Sequence, residues 1–177
     1  MSGFLNKVES AKLSGLKSIV FNNSSFFYDQ IVAKFDPEQT NACLHPAQET
    51  ICTQCFTSKN QVAATVLVRL GLNSPEAEYL DVLNVMMTWK WFRGILGGKP
   101  QKALYFVGIK DNSYIYLDPH YVQTAKEVIT SHNYDYFCES LRLCKNSSTD
   151  PSLGVCFYLP SLEALNEFYE SLKKLKA

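Results

Sequence analysis

The stretch ALYFVGIKDNSYIYLDPH, residues 103–120, carries the pattern on which the fold turns. Ala103 to Ile109 and Ser113 to Leu117 are short runs rich in aromatic and β-branched residues, which suit a pleated, half-buried surface. Lys110-Asp111-Asn112 is a short, turn-forming connection between them, so the two runs are expected to pair as an antiparallel hairpin. The second run stops at Asp118-Pro119-His120, where the proline biases Asp118 toward an extended conformation.

The flanking sequence continues this alternation of strands and helices. Upstream, Ala64 to Leu70 is an apolar, β-branched run closed by Gly71 and reads as a buried strand. Ser74-Pro75-Glu76 then offers an N-cap, a proline suited to a first helical turn and an acid on the positive end of the dipole. Tyr79, Leu80, Leu83, Met86 and Met87 share one face of the helix expected there, which should reach about Trp89. Trp89, Trp91 and Phe92 read as core aromatics rather than a base-stacking platform. Gly94, Gly97 and Gly98, followed by Lys99-Pro100, read as a loop that breaks regular structure. A phosphate cradle is disfavoured because the P-loop spacing and its Lys-Ser/Thr ending are missing.

Downstream, Thr124 to Asn146 is mixed, and Ser147, Ser148, Asp150 and Pro151 mark a loop before a strand from Leu153 to Leu159. Ser161 caps a closing helix whose apolar stripe is Leu162, Leu165, Phe168, Tyr169, Leu172 and Leu175. Lys173, Lys174 and Lys176 sit at its C-terminal end, where the dipole favours cations. The N-terminal part differs in character. A weak helix is expected over Phe4 to Val20 and mostly irregular chain from Phe21 to Asn60, so residues 1–60 form a poorly patterned segment ahead of a domain at 61–177.

Composition excludes several classes of function. With 177 residues, 46% of them hydrophobic, there is one domain's worth of chain and enough apolar surface for a core. Seventeen basic residues offset seventeen acidic ones, so no long-range field recruits nucleic acid or anionic lipid. No apolar run reaches the length of about 18 residues that a membrane span needs. Lys7, Glu9, Lys12 and Lys17 interrupt the N-terminus, so no signal-peptide core is expected, the protein reads as cytoplasmic, and no integral membrane association is expected. Six cysteines in such a compartment are expected reduced, which makes them candidate ligands or nucleophiles.

Two constellations carry chemistry. Asp118 and His120 stand two apart at a strand end and project to the same side, where a carboxylate can fix an imidazole's tautomer and leave its other nitrogen to face a nucleophile. The triplet alone is also what a turn with a capping histidine looks like. Cys43, His45, Cys52 and Cys55 include a Cys-x-x-Cys able to grip zinc, which would make the N-terminal part a small interaction module. Their spacing fits four unrelated residues of a variable loop better, so no metal and no cofactor is expected.

Leu96-Gly97-Gly98-Lys99-Pro100, Tyr105-Phe106-Val107-Gly108 and Tyr114-Ile115-Tyr116-Leu117-Asp118-Pro119-His120, closed by Gln123, together resemble the C-terminal half of the autophagins. These are the autophagy cysteine peptidases that act on a ubiquitin-like modifier. Val68-Arg69-Leu70-Gly71-Leu72 with the following helix, and Asp150-Pro151-Ser152-Leu153 with the last strand and helix, extend the resemblance over roughly Val66 to Leu175. It implies a papain-like peptidase fold of α+β class, present in part, with a mostly antiparallel sheet and packed helices. It also implies a thiol peptidase that trims the modifier after glycine and releases it from phosphatidylethanolamine, so the expected partner is that modifier in its free precursor and lipid-conjugated forms. In this reading Asp118 orients, His120 is the base, and Gly98, Lys99, Pro100, Gln101 and Lys102 form a gating loop over the entrance, for which a glycine hinge is apt.

The family's nucleophile stands in a Trp-Gly-Cys motif that opens a helix, and no such motif occurs here. Cys43, Cys52 and Cys55 precede His120 without following Trp-Gly, and Cys138, Cys144 and Cys156 come after it; Cys156, inside a strand, reads as a small core residue. The expectation is a truncated chain with its nucleophile elsewhere. The alternatives are a pseudoenzyme that keeps the modifier-binding surface and a complete peptidase using one of the three early cysteines.

Overall fold

The computed structural model describes residues 16–35, 61–122 and 141–175. Their elements run β1 (Leu16–Phe21), α1 (Tyr28–Phe35), β2 (Gln61–Arg69), α2 (Ala77–Met86), β3 (Phe92–Lys99), β4 (Lys102–Lys110), β5 (Ser113–Leu117), β6 (Arg142–Lys145), β7 (Ser152–Leu159) and α3 (Leu162–Lys174). The strands are ordered β1-β2-β7-β3-β4-β5-β6 in one seven-stranded sheet. β1 and β2 run parallel, whereas the ladders β3 to β4, β4 to β5 and β5 to β6 are antiparallel. This is the α+β class expected of a partial papain-like peptidase. Among the described residues no helix is long and apolar enough to cross a membrane.

The chain divides into two compact units. Of the described residues, the first joins those up to Leu67 with Lys90–Arg93 and those from Val155 onward. Its centre is aromatic: Phe168 of α3 meets Phe157 at 4.9 Å, Phe26 at 5.2 Å and Trp91 edge-on at 5.7 Å between ring centroids. Such tilted and edge-on pairs suit the ring quadrupole as well as burying area. Trp91 and Phe92 are buried and packed, as core aromatics should be. α3 starts where the sequence places it, with the Ser161 hydroxyl accepting from the Ala164 amide.

In this unit the N-terminal expectations fail where they can be examined. Residues 16–20 lie in strand β1 rather than the end of a helix, because they pair with β2, and Ser18 and Phe21, an odd number of residues apart, are buried on opposite faces. Residues 28–35, read as irregular, are the helix α1, which buries Ile31 and Phe35 one turn apart. Phe4 to Gly15 and Asp36 to Asn60 lie outside the described residues.

The second unit, Val68–Trp89 and Gly94–Gly154, contains the hairpins. Gly94, Gly97 and Gly98 lie in strand β3, not in a loop. Gly97 and Gly98 pair with β4 behind Ile95, a fully buried anchor, and glycine is what the close approach of β4 requires, since a Cβ on Gly98 would overlap the Lys102 carbonyl oxygen. The break shrinks to Pro100-Gln101, with Gln101 left-handed at φ 66°. α2 opens at Ala77 with Glu76, not Ser74, at the N-cap position, since the Glu76 amide already donates to Leu70 O. It ends at Met86, short of Trp89, after which Thr88 and Trp89 donate to carbonyls three residues back. Leu80 and Leu83 form its buried face, while Tyr79 is exposed.

Candidate active site

Two ladders converge on the end of β5. In the hairpin, Tyr105 pairs with Leu117, and the register running on past this pair brings Lys102 beside the residues that follow β5. From the other side Arg142 pairs with Tyr116, which puts its guanidinium near the same point. The residue on which they converge is Asp118, whose side chain is only 2% exposed.

Each oxygen of that carboxylate has its own partners. Oδ1 accepts from the His120 backbone amide at 3.2 Å and lies 2.6 Å from His120 Nδ1, an arrangement that the Asp-Pro-His turn produces locally. Oδ2 lies 2.8 Å from Lys102 Nζ and 3.8 Å from Arg142 Nη1. Lys102 first, and then His120, hold the Asp118 carboxyl far below the usual carboxylate range; the same bond raises the Lys102 ammonium's proton affinity. Arg142 also lies over the Tyr121 ring, 5.1 Å from its centroid.

The chemical consequence concerns the imidazole. An ionised carboxylate only accepts, so the short contact assigns the proton of a neutral His120 to Nδ1 and leaves a lone pair on Nε2. The His120 side chain is 50% exposed, so that second nitrogen has room for a proton donor. A buried, ionised carboxylate behind a half-exposed imidazole is the arrangement a general base needs.

The structure brings Asp118, His120 and Lys102 together as one cluster, while Gly98, Lys99, Pro100 and Gln101 form the end of the β3–β4 hairpin. Lys102 was legible only as part of that turn, and its ion pair needed the hairpin register. Arg142 gave no sequence signal, because it follows a long stretch without a clear pattern.

Of the cysteines, Cys144 is buried on β6. Cys156 accepts from the Thr65 hydroxyl at 3.5 Å, and burial pushes its thiol upward, away from the thiolate a nucleophile needs. Cys43, His45, Cys52, Cys55 and Cys138 lie outside the described residues. Among the described residues no group of three or more His, Cys, Asp or Glu is placed to hold a metal ion.

Comparison with known proteins locates this geometry. The family model for the peptidase C54 catalytic domain matches residues 3–171. The chain is 32% identical over 154 residues to cysteine protease ATG4C of Xenopus laevis, covering 79% of this chain and 33% of that protein. It is 34% identical over 132 residues to cysteine protease ATG4B of Oryza sativa subsp. indica, covering 71% and 28% respectively. It is 35% identical over 115 residues to cysteine protease atg4da of Danio rerio, covering 63% and 24%. The chain thus spans between a quarter and a third of the length of these curated relatives.

Proposed function

The chain belongs to the peptidase C54 family, and from that premise we propose that it carries the orienting and base residues of an autophagy cysteine peptidase, Asp118 and His120. The observation that supports the reading best is the 2.6 Å contact between Asp118 Oδ1 and His120 Nδ1 on a buried carboxylate. Residues 61–177 are the C-terminal part of the peptidase domain, and residues 1–60 are divergent sequence of the same family.

The reaction is hydrolysis of the peptide or amide bond after the glycine at the C-terminus of a ubiquitin-like modifier. His120 Nε2 takes the proton of a cysteine thiol, the thiolate attacks the carbonyl, and the imidazolium returns the proton to the leaving amine; water, deprotonated by the same imidazole, then cleaves the thioester, releasing the modifier's glycine carboxylate and regenerating the thiol. That amine is either the cleaved peptide or phosphatidylethanolamine, so one site serves both processing and delipidation. The partner is the modifier in both forms, and the protein works from the cytoplasm without an integral membrane segment. The β3–β4 hairpin end, Gly98 to Lys102, gates the substrate tail.

The nucleophile comes from outside these 177 residues, because no Trp-Gly-Cys motif occurs within them. The chain by itself is therefore expected to be inert toward a modifier precursor. Complementing it with the cysteine-bearing N-terminal portion of an ATG4C-type relative should restore cleavage after the glycine, and His120→Ala in that complex should abolish turnover. Cleavage by the chain alone that is blocked by alkylating Cys43, Cys52 or Cys55 would overturn this assignment of the nucleophile. Full activity of the complemented His120→Ala variant would remove His120 from the mechanism.

A further inference from the structure

A buried carboxylate can hold an imidazole in one tautomer only if it is itself held. Asp118 sits on a loop end, and rotation about its side-chain bonds would exchange or withdraw its oxygens. His120 bonds only Oδ1, and Oδ2 is left to other partners, whose loss would free the carboxylate to turn or to present its other oxygen. Oδ2 is claimed from two other elements: Lys102 at the start of β4, 2.8 Å away, and Arg142 at the start of β6, 3.8 Å away. The longer distance lies outside hydrogen-bond range, which leaves Lys102 as the group that fixes the carboxylate.

The root of Lys102 is firmly placed. Its Cα pairs with Lys99 at the closed end of the hairpin, and its carbonyl packs against Gly98 where no Cβ fits. On the other side of Gly98, the Asp150 amide donates to the Gly98 carbonyl at 2.8 Å. The ammonium thus reaches Asp118 from a backbone anchored on both sides of the turn.

We propose that Lys102 is a positioning residue for the dyad, its ammonium fixing the Asp118 carboxylate so that Oδ1 faces His120 Nδ1. The role rests on reading Asp118 and His120 as orienter and base. Lys102 touches neither the thiol nor the scissile bond, and its effect on the dyad passes through Asp118. Both its charge and its reach matter, so arginine substitutes for it and methionine, of similar length and uncharged, does not. Among the described residues the charged and titratable groups around Asp118 are Lys102, His120 and Arg142, with Tyr116 and Tyr121 close to Lys102.

The test is made on the chain as it stands, by long-range nitrogen correlation spectra of the His120 ring and carbon spectra of the Asp118 carboxyl across a pH titration. In the unsubstituted chain the neutral ring should carry its proton on Nδ1. Lys102→Met should at least triple the population protonated on Nε2 and raise the proton affinity of Asp118 about tenfold or more. Lys102→Arg should restore both, and both variants should keep dispersed spectra because the side chain is nearly half exposed. An unchanged tautomer and an unchanged Asp118 titration in folded Lys102→Met overturn the proposal, as does failure of Lys102→Arg to restore them. Neither spectrum depends on a nucleophile, so their failure would tell against Lys102 alone, whereas the peptidase reading is tested by turnover of the complemented His120→Ala variant.

Discussion

The cluster around Phe168 and the cluster around Asp118 are held together by opposite means. Phe168 meets three rings through contacts that have no donor or acceptor, and each loss is felt as lost area and a cavity. Asp118 is held by a few directed bonds, each of which specifies an orientation. The aromatic cluster should therefore govern whether the chain folds, and the charged cluster what the folded chain can do. Substituting one cluster should leave the property of the other nearly untouched.

The largest expected effect tests the charged side. In the complemented enzyme Asp118→Ala should cost on the order of 10³- to 10⁴-fold in kcat, since the imidazole loses its tautomer and its counter-charge, while the chain stays folded near neutral pH although it gives up the carboxylate's contribution to stability. A loss of activity matched by unfolding would break the comparison. Next, Phe168→Ala should destabilise the chain by about 3–5 kcal/mol in denaturant titration, because a ring exposed by only 1% leaves a cavity its neighbours cannot fill.

A smaller effect appears as a pH dependence. The Asp118 carboxyl binds its proton more weakly folded than unfolded, so its contribution to stability is complete above the ordinary value of 3.8 and is lost as pH falls below it. Asp118→Asn should flatten the acid limb of the stability profile there and leave the alkaline limb alone. The smallest effect belongs to Tyr114, whose hydroxyl is buried without a hydrogen-bond partner among the described residues and whose pKa is raised by burial to about 12. A group whose folded affinity is raised stabilises below its ordinary value of 10.0 and loses that stabilisation as pH rises toward 12. Tyr114→Phe should be neutral or slightly stabilising near neutral pH, within about 1 kcal/mol, and should reduce the alkaline loss.

The two clusters were also unequally legible in the sequence. The β4–β5 hairpin and α3 announce themselves through local features: alternating aromatic runs around a short turn, and a 3.6-residue stripe behind Ser161. β3 was hidden because its glycines read as breakers, while the reason for them, the approach of the Lys102 carbonyl, is a tertiary fact. β1 and α1 were hidden for a different reason. β1 carries Lys17 and Ser18 within a six-residue strand, and α1 buries only two residues of eight, so neither builds a period long enough to see. In the site, Asp118 and His120 were legible because their bond closes within three residues. Lys102 and Arg142 were not recognised as its partners, because their contacts are made across ladders.

One irregularity of the hairpin bears on how this site can be lost. Toward the turn, Gly108 faces Ile115, but toward the other end Phe106 faces Tyr116, so Val107 is an extra residue in β4. Side chains alternate along a strand, and an extra residue moves everything beyond it by one step onto the opposite face. Were Val107 itself paired, so that each residue of β4 before Gly108 took the next partner along β5, Tyr105 would stand opposite Asp118 instead of Leu117, and Lys102 would be displaced with it. This charge pair is thus exposed to a slip of register as much as to the loss of a group: drawing Val107 into the ladder takes away no charge and no hydrogen-bonding side chain, yet puts the lysine and the carboxylate out of phase, whereas deleting Val107 would keep Phe106 opposite Tyr116 and Tyr105 opposite Leu117.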